Sequence, residues 1–313
     1  MQISAKTVSL GNKKIKFTTL EEVTDVKSGL GTGDNQYYLY KDKDTLGSYE
    51  IIDKKNVLTE NELKKISSDE KLRLKMINNG IPKTLFNGKT IIPTDKGGES
   101  DIASGRLSNY FVPTKYYLDF SQKNVTRLKT LTIADRKRFY KKNDIKQKDA
   151  TTLAAVIRNP TFYFLPGITF SDVGLYAPTF RLNSSSVFDH RGNCIFIKKK
   201  YQNILSIEFL LGIICSIFIR YLNKNFINNT VGFQVEDIKK LLIPICEKSQ
   251  KQEIEKLVEE IIKKQKKDPD YNYQNHEQIK IDKLVYEIFG LDQELIDEVE
   301  TWYARRYPKL VRN

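Results

Sequence analysis

The hydrophobic period of this chain changes once, at Pro244. Downstream, Ile254, Leu257, Val258, Ile261 and Ile262 fall at i, i+3, i+4, i+7 and i+8. That spacing places all five on one stripe of a helix. Upstream, short apolar runs over 161–170, 175–182 and 187–198 are separated by Pro, Gly and Asn, the punctuation of strands and turns. The two periods together predict an α+β protein. A β-rich domain with inserted helices spans 1–243, and a helical spacer or interaction segment spans 244–313. An exposed apolar stripe on the 248–264 helix would mark an interface, and a buried one would join the chain's own core.

Local signals fill in this outline. The lead-in up to Leu20 is β-rich, Thr18–Val23 reads as a short helix, and Gln36–Tyr40 reads as a strand. Thr59 and Glu62 form a capping box, which predicts a helix to about Asn78. Asn79-Gly80 and Pro82 then break it. Thr90–Pro93 is a further strand, leading into Asp95-Lys-Gly-Gly-Glu99. Phe233–Ile238 reads as a turn into a short helix. Two more helices are expected over 279–289 and 293–307, with Gly290 between them. There is no internal repeat and no low-complexity tract.

The chain carries 52 Lys+Arg against 39 Asp+Glu, a formal charge of +13. The surplus is unevenly placed. From Pro244 onward there are 13 basic and 15 acidic residues, and before it 39 and 24. A lysine-rich composition alone would spread over both parts, so the asymmetry points to a polyanionic partner for the first. Cys194, Cys215 and Cys246 are odd in number and widely spaced. They suit buried free thiols in a reducing cytoplasm, and no apolar leader opens the sequence. The apolar run 204–219 is interrupted by Ser206, Glu208 and Ser216 and is closed by Arg220. It falls short of the ~20 residues of a membrane span and reads as a buried helix.

Catalytic signals are weak. Gly29, Gly31 and Gly33 alternate as in a cofactor loop, but no apolar strand precedes them and no helix pattern follows, both of which such a loop needs. Asn159-Pro-Thr-Phe162 lacks the second proline of an adenine methyltransferase loop. Asp53 with Glu62 and Lys64 matches a Mg²⁺ nuclease pattern on paper, although the cap already accounts for Glu62. Neither His190 nor His276 has an evident partner, and Ser184-Ser-Ser186 lies in no nucleophile elbow.

Binding chemistry remains. The window 126–148 holds nine Lys/Arg against Asp135 and Asp144. Arg127, Lys129, Arg136, Lys137, Arg138, Lys141 and Lys142 in it offer phosphate contacts, each of which would steepen salt dependence. A solvated lysine-rich helix is the alternative, and Lys198–Lys200 reads as a solvated strand end. Thr169, Ser171, Arg181 and Asn183 are of the types that read base edges from rigid supports. Each of them taken singly also has a structural reading.

Several blocks resemble a known family. Gly29-Leu-Gly-Thr-Gly-Asp-Asn35 is similar to the block that opens the target-recognition region of type IIG restriction–modification enzymes and BREX phage-defence adenine methyltransferases. Lys96-Gly-Gly-Glu99, Gly167-Ile-Thr-Phe-Ser171 and Phe233–Ile238 with Ile243-Pro-Ile245 resemble later blocks, in the family's order. Glu287-Ile-Phe-Gly-Leu291 with Val299-Glu300 resembles the helical tail. The layout is also similar to one half of a type I specificity subunit. The resemblance, from about Thr19 to Leu310, implies duplex-DNA recognition, with Lys96 joining the candidate contacts. The family's methyltransferase domain is absent from these residues. The resemblance therefore implies a specificity subunit, or a fragment of a larger enzyme, with S-adenosylmethionine on a partner or missing domain. It implies no catalytic residue and no metal here. The alternatives are a Mg²⁺-dependent restriction nuclease on Asp53, Glu62 and Lys64, and an adaptor that binds nucleic acid, including RNA, without sequence preference.

Overall fold

A computed structural model describes residues 3–10, 13–97, 107–130, 155–183 and 186–310. It is an α+β protein, with three sheets among the described residues and a helical C-terminal region. In chain order, β1 (Lys6–Leu10) and β2 (Lys13–Thr19) lead through the short α1 (Leu20–Val23) into β3 (Thr24–Lys27). The glycine loop follows. It ends in one helical turn, α2 (Asn35–Tyr38), ahead of β4 (Leu39–Lys41). The strand expected over 36–40 therefore begins only at Leu39, because the Tyr37 and Tyr38 amides turn back to donate to the Asp34 carbonyl.

After β5 (Glu50–Ile51), the Thr59 capping box is in place. Thr59 Oγ1 accepts from the Glu62 amide, and Glu62 Oε2 accepts from the Thr59 amide at 2.7 Å. The helix it starts is two helices, α3 (Glu60–Ser68) and α4 (Glu70–Asn79). Asp69 divides them with extended backbone, and its carboxylate caps the second through the Leu72 amide. An aspartate at an interior site competes for such a role. β6 (Ile91–Asp95), β7 (Tyr116–Asp119) and α5 (Gln122–Thr130) follow.

The three later strand runs resolve into β8 (Gly167–Ser171), β9 (Thr179–Asn183), β10 (Val187–Phe188) and β11 (Cys194–Ile197). Residues 160–162 form a 3₁₀ turn instead of continuing the strand. The apolar run becomes two helices, α6 (Ile207–Ile214) and α7 (Ile217–Leu222). Ser216 separates them by accepting from the Ile219 amide and donating to the Ile213 carbonyl. No helix among the described residues is long and apolar enough to cross a membrane. α8 (Val235–Lys239), β12 (Leu242–Pro244), α9 (Lys248–Lys267), α10 (Glu277–Ile288) and α11 (Gln293–Arg306) complete the chain.

The sheets run β1-β2-β12, β10-β6-β7-β4-β5 and β3-β11-β8-β9. The larger core cluster joins β2, β8, β9 and β11 to α6, α7 and the C-terminal helices. The stripe Ile254, Leu257, Val258, Ile261 and Ile262 is buried in it, so its apolar side faces the chain's own core. At about 1.5–3 kcal/mol for each fully buried aliphatic side chain, that stripe is a main attachment of the tail. The second cluster lies between the five-stranded sheet, α3–α5 and residues 155–165, with Phe188 and Phe196 linking it to the third sheet.

Candidate functional site

The end of β6 meets β8 and β9 at a buried polar network. Asp95 is the last residue of β6, and its carboxylate receives Arg181 from β9 in a two-pronged pair. Arg181 Nη2 is 2.6 Å from Oδ1, and Nε is 2.9 Å from Oδ2. Thr169 of β8 donates to the same Oδ2 at 2.7 Å, and the Gly97 amide donates to Oδ1 at 2.8 Å. Arg181 Nη1 also donates to Ser171 Oγ at 2.9 Å. Arg181, Thr169 and Ser171 are all buried. Burial alone would raise the Asp95 carboxyl. The Arg181 charge and the hydrogen bonds from Arg181, Thr169 and Gly97 outweigh it and hold the group below its ordinary value. The pair fastens the five-stranded sheet to the four-stranded one.

The network floors a small cleft of about 60 Å³, whose lining includes Asp95, Lys96, Lys115, Tyr116, Arg181 and Asn183. Lys96 is held at its mouth. Its Nζ donates to Tyr49 Oη at 2.8 Å and sits 4.6 Å from the Tyr49 ring and 4.7 Å from the Tyr116 ring. A cation over two aromatic faces is held in place by attraction to the rings. Beside the cleft, the turn 189–192 presents exposed His190 and Arg191. His190 has a partner that sequence reading missed: its Nδ1 lies 2.9 Å from Asp189 Oδ1. Burial raises the Asp189 carboxyl, against the Arg191 amide and the charges of His190, Lys96 and Arg191.

The glycine loop packs on the other side of this turn. Leu30 N donates to Phe188 O at 2.8 Å, and His190 N donates to Leu30 O at 3.1 Å. A Cβ on Gly29 would lie 1.9 Å from Phe188 O. Across the turn, a Cβ on Gly97 would lie 2.0 Å from Arg191 O, at a φ of +67°. The glycines are thus needed for backbone contact on both flanks of residues 188–192. The block at 233 joins through Phe233 N, which donates to the carbonyl of Asp172, next to Ser171, at 2.6 Å. Ile243 and Pro244 pair with β2. The glycine loop and Gly97 therefore meet at one turn, while β8 joins the Asp95–Arg181 pair through Thr169 and Ser171 and reaches Phe233 through Asp172.

The other candidates lie elsewhere. Arg127 on α5 pairs with Asp34 of the glycine loop at 3.0 Å, and its guanidinium carbon is 3.8 Å from the Tyr37 ring centroid. Lys129 donates to Asn78 O at 2.6 Å. Asn183 is buried, with Nδ2 3.5 Å from Leu165 O. Arg136, Lys137, Arg138, Lys141 and Lys142 fall outside the described residues. Asp53 caps a 3₁₀ turn and pairs with Lys55 at 2.7 Å, while Glu62 is held by its cap and by Lys89 at 3.1 Å. Among the described residues no three His, Cys, Asp or Glu side chains are grouped to hold a metal ion. Cys194 and Cys215 are buried free thiols that burial pushes well up, and Cys246, half-buried, is pushed up to about 11.

No family model matches this sequence, and no curated protein is significantly similar to it. Asp95 is the residue that sequence reading passed over. Its one visible signal was a carboxylate directly after an apolar strand, ahead of Lys-Gly-Gly.

Proposed function

We propose that this chain recognises duplex DNA sequence-specifically, as the specificity component of a restriction–modification or phage-defence adenine methyltransferase. The catalytic partner would hold S-adenosylmethionine, and both would work in the cytoplasm. The observation that carries the reading is the meeting of the Gly29–Asn35 and Lys96-Gly97 blocks on the 188–192 turn, with Gly167–Ser171 joined to Asp95 beside it and Phe233 joined to Asp172 at the end of that strand. Lys96, His190 and Arg191 stand at the edge of this meeting. The charge asymmetry supports it, because the surplus of positive charge precedes Pro244. Lys96, Arg191 and the 127–142 window supply phosphate contacts, which position a duplex. Arg181, Thr169 and Ser171 then act as positioning residues, since their polar atoms are spent on Asp95 and on one another.

The test is binding to a panel of duplexes at two salt concentrations. The reading expects tight, sequence-dependent binding at low salt that weakens as salt rises. Neutralising Arg136–Lys142 should weaken binding to every sequence and lower the salt slope. Absence of duplex binding at low salt overturns it. Equal affinity for random duplexes and RNA overturns the sequence-specific part in favour of a general nucleic-acid adaptor.

A further inference from the structure

The register of the five-stranded sheet turns Leu39, Ile92 and Leu118 into the second core cluster. Tyr40 and Asp119 alternate with them and belong to the opposite face. On that face lies an open groove of about 680 Å³, lined by residues that include Tyr37, Tyr40, Asn56, Lys83, Asp119 and Lys123. Its size is that of small-molecule sites, and its lining is unlike that of the cleft at Asp95.

We propose that this groove binds a single unpaired nucleotide whose base carries an exocyclic amine. Asp119 supplies the selectivity. Its Oδ1 accepts from Thr90 Oγ1 at 3.1 Å and from the Ser121 amide at 2.9 Å, which fixes the carboxylate. Its Oδ2 has no partner among the described residues. A carboxylate only accepts. It therefore favours the amino groups of adenine, cytosine or guanine; thymine and uracil offer only an N3–H set between two carbonyl oxygens, and a carboxylate that accepts from it meets both of them. Tyr40 is half-buried, and Tyr37 is 42% exposed with Arg127 and Asp34 fixing its position. Arg127 covers one face of the Tyr37 ring and Tyr40 packs partly on Ile52, Ile91 and Tyr117, so the exposed side of Tyr37 is the stacking surface offered to a base. The exposed Lys83 and Lys123 suit the phosphate. A neutral sugar would use the tyrosines and the carboxylate but would leave both ammonium groups without a role. The inference does not rest on sequence-specific duplex recognition, because it needs a base free of its pairing partner. The nucleotide could be free or part of a polynucleotide, and the two sources separate experimentally.

The experiment uses the full chain and fluorescence anisotropy with three labelled hairpins: fully paired, with one unpaired adenine, and with one unpaired thymine. AMP and UMP serve as competitors. The unpaired-adenine hairpin should bind roughly tenfold tighter than the thymine one, the ratio expected for one hydrogen bond to a charged acceptor. Asp119→Asn keeps an acceptor for Thr90 and Ser121, so it should fold and yet lose that ratio. Tyr37→Ala should weaken both unpaired hairpins by roughly tenfold, as removal of a stacking ring does. Competition by AMP and not by UMP assigns a free nucleotide as ligand, and a preference seen only between hairpins assigns a polynucleotide. Equal binding of the two unpaired hairpins without discrimination between AMP and UMP overturns the proposal, as does an Asp119→Asn protein that keeps the preference. Binding of the fully paired hairpin bears only on duplex recognition.

Discussion

Asp95→Asn removes one charge from the pair that joins two sheets and leaves Arg181 buried without a counter-ion. Arg181 keeps 6% of its side-chain exposure and Asp95 keeps 20%, so little solvent replaces the lost carboxylate. Breaking one partner of such a pair costs about 3–5 kcal/mol, and the residual exposure of Asp95 argues for the lower end. Asparagine still offers one oxygen to the Gly97 amide or to Arg181, so the loss is chiefly electrostatic. With a urea m-value of about 3 kcal/mol/M, the unfolding midpoint should fall by about 1 M. The pH dependence gives a second reading. The folded Asp95 carboxyl is depressed, so its contribution is fully present above the unfolded value near 4 and is lost as pH falls through the folded value. The gap between wild type and Asp95→Asn should therefore be widest at neutral pH and should close in acid. Adding Arg181→Met should recover much of the neutral-pH loss, because no unpaired charge then remains. Urea melts at pH 7 and pH 3 on wild type, Asp95→Asn, Arg181→Met and the double variant test this. A midpoint unchanged at pH 7, or a double variant whose loss is the sum of the singles, would refute the reasoning.

Gly29→Ala places a methyl group on Phe188 O, and shifting that backbone should cost about 1–3 kcal/mol. A melting temperature within a degree of wild type would show that the loop yields freely. Lys224 is buried, with Nζ 4.3 Å from the Phe233 ring centroid and donating to Thr230 O. Burial, with the charges of Arg220 and Arg306, pushes its ammonium down to about 7. The folded value lies below the unfolded one, so the unfolded chain binds more protons between the two. This group makes stability rise as pH climbs from about 7 to about 10.4. Lys224→Met should be the more stable protein at pH 6 and should lose that rise. Parallel slopes for the two proteins in urea melts at pH 6, 8 and 10 would count against the argument.

The parts of the fold legible in the sequence are those set by neighbours along the chain. The Thr59–Glu62 box depends on residues three apart, and it stands as expected. The 254–262 stripe depends on helical period alone, and it is buried along its length. Readings went astray where a side chain's use is decided elsewhere. Asp69 and Ser216 look like ordinary interior residues of longer helices, yet each ends one helix and caps the next. Tyr37 and Tyr38 favour a strand by type, but the Asp34 carbonyl takes their amides into a turn. Asp95 shows in the sequence only as a carboxylate after an apolar strand, because its side-chain partners are 74 and 86 residues away.

The same distance argument decides how the strand residues of the cleft can act. Thr169, Ser171 and Arg181 have the functional groups that read base edges, and their residue types on a strand-rich support suggest that use. A buried guanidinium already paired in two prongs has little left to offer a base, and freeing it would expose the Asp95 charge to the same penalty that Asp95→Asn imposes on Arg181. On the proposed reading, contact with DNA at the cleft therefore falls to the groups that remain outside the network. Lys96 sits over two tyrosine rings, and Arg191 is exposed on a turn whose backbone is gripped by glycines on both flanks. On the proposed reading the exposed Arg191 on this turn and the neighbouring Lys96 face a polyanion, and the buried pair nearby helps fix where the turn stands. On this view the glycine loop contributes by allowing the 188–192 backbone to approach, and Arg181 contributes by holding the sheets in place, so substitutions at either should weaken all ligands together without changing which one is preferred.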